Sequence, residues 1–178
     1  QGYQRNRGAE KAKYNHLLFL DADILLPNNT LNTYLKNINP NRQIVGRILF
    51  FPTKSNPIDF LLFAAAYIYI AIHSFFYPIT SGGFLLTTKK NHEKIGGFKE
   101  GGLLGEDIDY GSRSVADGAK LYMNYKTYVL HSSRRARKMG RFKMLWVCIV
   151  TYIYFRRFGM VPNTSTFYYP YGEYEGYY

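Results

Sequence analysis

Four apolar residues, Leu17-Leu18-Phe19-Leu20, run directly into Asp21-Ala22-Asp23. The run reads as a buried parallel strand, which puts the acid pair at the carboxyl edge of a sheet, where open α/β folds bind ligands. Alternate residues of a strand point the same way. Both carboxylates can therefore converge on one hard divalent cation, which takes its remaining oxygens from a phosphorylated substrate. Taken alone, the same residues also fit a strand end capped by a solvated Asx turn. The rest of the chain decides between the two.

Arg5-Asn6-Arg7-Gly8-Ala9-Glu10-Lys11-Ala12 lies upstream of the acid pair. Gly96-Gly97-Phe98 and Gly105-Glu106-Asp107-Ile108-Asp109-Tyr110 lie downstream, followed by His131 at the end of an apolar strand. In that order and spacing the residues resemble glycosyltransferase family 2, whose GT-A domains carry an Arg-Asn-x-Gly-x-x-x-Ala helix, an Asp-x-Asp, a Gly-Gly-Phe and a Glu-Asp pair. The resemblance runs from Arg5 to about Gly140. It implies an α/β fold of GT-A type, a Rossmann-like, mostly parallel sheet with flanking helices. Family members open with a strand, a turn and a second strand whose end carries an acid for the nucleotide base. Neither precedes Arg5, so the expectation is a GT-A domain lacking its first strands, the C-terminal portion of a longer protein.

The resemblance also implies a chemistry. Asp23 is the better ligand for a divalent cation, Mn or Mg, while Asp21 touches the ribose or reaches the metal through water. His131 joins the metal or contacts the diphosphate, unless it is simply structural. The donor is expected to be a UDP- or GDP-sugar. Asp107, the second acid of the Glu-Asp pair, is the implied base that takes the acceptor proton, giving direct displacement with inversion. Its own setting fits, since it stands in a first helical turn beside apolar Ile108, where the macrodipole favours a charged carboxylate. Glu106 either orients an acceptor hydroxyl or caps the helix. Gly82 and Gly83, after Ser81, either let backbone approach an acceptor sugar or form a plain turn. Asp109 and Arg113, four apart, read as a helix-surface ion pair.

Arg134, Arg135 and Arg137 resemble the basic segment that some lipid-phosphate glycosyltransferases fold over the diphosphate, because guanidinium forks bind phosphate oxygens in pairs. Arg5 either contacts the nucleotide or sits at a helix start. The Gln-x-x-Arg-Trp motif of processive synthases is absent, Trp146 lacking that context, so a single-addition transferase is expected.

Composition bounds the remaining possibilities. At 178 residues and 47% hydrophobic content the chain can bury a sizeable core. One Cys excludes a disulfide scaffold and a thiolate zinc site, and Cys148 reads as apolar filling. The net charge of +11 is concentrated in Arg134, Arg135, Arg137, Lys138, Arg141 and Lys143, just ahead of the apolar stretch Met144 to Phe155. That stretch is either an interfacial helix attracted to anionic headgroups or a helix packed on the sheet. Phe60 to Tyr77, without a charge, is long enough to approach a membrane span. Crossing would separate Asp23 from Asp107, so a monotopic helix on the cytoplasmic face of a membrane is expected, with a buried core helix as the alternative. A lipid-linked acceptor follows as an expectation from the two apolar segments. A nucleotidyltransferase would leave Gly-Gly-Phe and Glu-Asp unexplained. A basic module binding nucleic acid or anionic lipid is the non-enzymatic rival, and no nucleic-acid-binding motif supports the first of these.

The expected elements are helices at about Arg7 to Tyr14, Thr30 to Ile38, Lys89 to Ile95 and Glu106 to Ala116, the last stopped by Gly118. Strands are expected at Leu17 to Leu20, Ile44 to Phe51, Phe84 to Thr87, Leu121 to Met123 and Thr127 to Leu130. This divides the chain into a GT-A domain over 1–140, a basic-flanked apolar helix over 141–161, and a Tyr- and Gly-rich mobile tail over 162–178.

Overall fold

The computed structural model describes residues 1–36, 38–39, 42–53 and 57–162, with backbone only at 75, 76, 103, 135, 136 and 162. The expected mobile tail falls almost entirely outside the described residues.

Helix α1 (Gly2–Lys11) leads into β1 (His16–Leu20), β2 (Ile24–Leu25) and α2 (Thr30–Leu35). Strand β3 (Ile44–Pro52), the long helix α3 (Pro57–Phe76), β4 (Phe84–Thr88) and α4 (Lys89–Lys94) follow. The chain continues through β5 (Gly102–Leu104), α5 (Glu106–Ala116), β6 (Lys120–His131), α6 (Arg134–Met139), α7 (Arg141–Phe158) and β7 (Val161–Pro162).

Five strands form one sheet in the order β1-β4-β3-β6-β2, and β5 pairs with β7 apart from it. β4 runs antiparallel to both β1 and β3, β2 runs antiparallel to β6, and β3 with β6 is the parallel pair. The sheet is thus mixed, which corrects the expectation of a mostly parallel one. Helix α3 runs back along β3, and residues 77–83 then return the chain past Phe50 so that β4 enters antiparallel to β3. Three contacts mark the path of α3: Phe60 stacks on Phe51, the Tyr67 hydroxyl bonds Phe50 N and Ile48 O, and Arg47 reaches Ser74 Oγ and Ile79 O.

Burial follows the two-residue period of the pleat. Phe84 and Leu86 face a core with Tyr34, Ile44, Ile48 and Val129, while Leu85 and Val45 face a second core with Phe98 and Tyr110. Every residue of β4 is buried, as its central place requires. The two strands expected at 121–123 and 127–130 are halves of β6. They are separated where its register on β3 jumps from Ile48↔Asn124 to Leu49↔Tyr128, and Tyr67 satisfies the β3 backbone at that irregularity. Asn124 Oδ1 accepts from Lys126 N to stabilise the bulge.

Helix α3 does not enter either core. Only 6% of Pro57–Ser74 is buried although its mean hydropathy is 1.5, so the buried-helix alternative fails. Helices α3 and α7 run side by side in the same direction, joined by Arg141 Nε to Asp59 Oδ1 at 2.5 Å near their starts and by Tyr152 to His73 near their ends.

Candidate active site

Arg5 occupies the centre of the acidic residues. Its Nη2 lies 2.9 Å from Asp21 Oδ1 and its Nη1 3.0 Å from Glu106 Oε1, and Nη2 also donates to Gly82 O at 3.3 Å. The guanidinium rests 5.2 Å from the Phe98 ring centroid. One side chain from α1 therefore joins the acid that follows β1 to the first acid of α5. Its fork has five fixed donors, and here two carboxylates and a carbonyl use them.

Asp107 sits beside this junction. Its Oδ2 accepts from Gly82 N at 2.7 Å, its Oδ1 accepts from Ile108 N at 2.9 Å, and Thr80 Oγ1 donates to its carbonyl. Loss of solvent, followed by the charge of Glu106, pushes its carboxyl up to about 6, against the opposing pull of the Gly82 bond and Arg5. The helix start alone favours the charged form, but desolvation outweighs it. The result is a carboxyl that changes charge close to neutrality, as a general base requires.

The small residues here are set by protein neighbours. A Cβ on Gly82 would lie 2.8 Å from Arg5 Nη2, and one on Gly83 would lie 2.8 Å from Phe50 Cε1. Glu106 turns to Arg5 instead of capping, and the N-cap position is Gly105. Asp109 and Arg113 do pair, at 2.7 Å, but the pair is built in. Asp109 is buried, and Arg113 also donates to Ile95 O and Gly97 O, tying α5 to the loop after α4.

Asn6 explains the Gly-Gly-Phe. Its Nδ2 donates to Phe98 O at 2.9 Å while its Oδ1 accepts from Phe98 N at 2.8 Å. Gly97 has φ +70°, and a Cβ there would meet Asn6 Oδ1 at 2.7 Å, so only glycine fits the approach. Phe98 then stacks on Tyr110 of α5, 4.2 Å between centroids.

Asp23 and His131 form a second group. His131 Nε2 lies 3.8 Å from Asp23 Oδ1, both side chains half-buried, and Ser132 N donates to Asp23 O. The pairing of Ile24 with His131 brings them together. Their spacing suits two ligands each about 2.1 Å from a shared ion. Among the described residues, no three His, Cys, Asp or Glu side chains converge to hold a metal, and Asp21 is turned to Arg5. One carboxylate oxygen and one imidazole nitrogen are therefore the donors this pair could offer an ion.

Of the basic residues, Arg134 opens α6, separated from His131 by Ser132 and Ser133, and Arg137 in its last turn donates to Ser133 Oγ. Arg135 is in the same helix, its side chain outside the described part. Cys148 is a correction. It is exposed, not core filling, and its thiol is pushed up by the surrounding protein and then by the charge of Asp107. Sequence reasoning missed Thr80 and the bridging role of Arg5, which only their long-range partners reveal.

No protein-family model and no curated protein matches this chain. The structure is similar to the mannosyltransferase PcManGT from Pyrobaculum calidifontis, solved in complex with GDP-Man and Mn2+, with a TM-score of 0.61 and 17% identity. The likeness covers 91% of this chain and 45% of that one, so the chain spans less than half the length of the structure it matches. It has part of a glycosyltransferase-like GT-A fold.

Proposed function

We propose that the chain is the metal- and acceptor-side portion of a glycosyltransferase that moves a sugar from a nucleotide donor, a GDP- or UDP-sugar, to an acceptor hydroxyl. The observation that carries this reading is the Arg5 bridge, which gathers Asp21 and Glu106 around one guanidinium with Asp107 adjacent. Asp23 and His131 would hold the divalent cation, Mn or Mg, which neutralises charge on the departing diphosphate. Asp107, fixed by Gly82 N and Ile108 N, takes the proton of the attacking hydroxyl. A single base opposite the leaving group gives inversion. Arg134, Arg135 and Arg137, next to His131, are suited to the diphosphate.

The apolar, uncovered α3 and the basic start of α7 support a place at a membrane surface, with the helices lying in the interface and a lipid-linked acceptor. That α3 lies flat along β3 favours this over a crossing.

The test is Mn2+-dependent transfer from GDP-mannose and UDP-glucose by the full-length protein, read by anomeric NMR of the product. Asp107→Asn is expected to abolish transfer while donor binding persists. Transfer unchanged in that variant would reject the base.

A further inference from the structure

The C-terminal turns of α3 and α7 frame an open surface cavity of ≈ 550 Å³ lined by His73, Tyr77, Tyr152, Ile153, Arg156 and Arg157. We infer that this cavity takes the phosphate of an anionic membrane lipid and so anchors the chain on the bilayer; the inference rests on the membrane-facing reading of α3 and α7, not on sugar transfer.

Its walls combine the groups such a headgroup needs. Arg156 is held over the Tyr77 ring, 4.3 Å from the centroid, and among the described residues neither Arg156 nor Arg157 pairs with a carboxylate. Stacking leaves the guanidinium edge open for phosphate oxygens. Tyr152 and His73, 3.2 Å apart, add a hydroxyl and a ring nitrogen.

Apolar side chains surround the opening. Ile72 is 59% exposed, Ile153 59% and Phe158 70%, so acyl chains would meet hydrocarbon on both helices. Tyr and Arg at the edge of an apolar surface suit the depth of headgroups. The cavity is separate from the reacting groups. Phe155, buried, fills the space between Tyr77 and Gly105 at the start of α5.

Co-sedimentation with phosphatidylcholine vesicles, with and without phosphatidylglycerol at fixed ionic strength, tests the inference. Wild type is expected to prefer the anionic vesicles. The double variant Arg156→Gln/Arg157→Gln is expected to lose that preference by about tenfold or more, whereas Lys11→Gln/Lys120→Gln, the same charge change on exposed sites elsewhere, loses at most about twofold. Tyr152→Phe, which keeps the charge and the ring, is expected to weaken anionic binding alone. Equal losses in the two double variants would replace the cavity with diffuse attraction and overturn the inference. Equal wild-type binding to both vesicles would overturn it while leaving the membrane-facing reading standing; binding to neither would sink both.

Discussion

Arg5 does at the residue scale what sequence reasoning left between a nucleotide contact and a helix start. Its charge offsets Glu106 and holds the Asp107 carboxyl lower than burial alone would set it. Removing it leaves a buried acid unpaired. Arg5→Ala is expected to destabilise the fold by about 2 to 4 kcal/mol, near the lower part of the range for a broken buried pair because Asp21 is partly exposed. In urea denaturation the midpoint falls. The pH profile of transfer also moves to higher pH, which a merely structural role would not produce. For wild type, transfer should rise as pH passes upward through about 6 and Asp107 ionises. The same raised carboxyl contributes stability that is complete below the ordinary carboxylate range and lost as pH rises through about 6. The melting temperature of Asp107→Asn relative to wild type is therefore expected to improve from pH 4 to pH 7; a constant difference would contradict the assignment.

Elements transmit these contacts because α5 sits close to the segment between α3 and β4. A Cβ on Gly111 would lie 2.4 Å from Thr80 Oγ1, two residues from the Gly82 amide that holds Asp107. Gly111→Ala is expected to cost about 1 to 3 kcal/mol through overpacking and to lower kcat more than it raises KM, measured by thermal melts and steady-state kinetics. Much of this layer was legible in sequence. The Glu106–Ala116 helix has the bounds that its acidic start and Gly118 stop predict, since local capping signals decide a helix of this length. The direction of β4 was not legible, because a run such as Phe-Leu-Leu-Thr reads the same parallel or antiparallel and the return of residues 77–83 after α3 decides. Helix α1 begins at Gly2, not at Arg7, since Arg5 and Asn6 are bound by distant partners that a local reading does not contain. β2, β5 and β7 are two or three residues long, too short for periodicity.

For the whole molecule, the positions of Asp23 and His131 were legible as metal candidates, but their meeting depends on pairing across the sheet edge. Cys148, exposed on α7 and within reach of the Asp107 charge, offers a chemical probe of the acceptor side. Alkylation of Cys148 is expected to block transfer, with Cys148→Ser active and resistant; an alkylated enzyme with full activity would place α7 away from the acceptor path. Whether the stretches 21–23 and 106–107 surround one cation is tested, without requiring turnover, by paramagnetic broadening with Mn2+ in amide NMR. Resonances of Asp23 and His131 are expected to broaden first, with the Gly82 and Ile108 amides broadening alongside them, and Asp23→Ala is expected to remove both effects. Broadening confined to one stretch, or unchanged in Asp23→Ala, would contradict a shared cation.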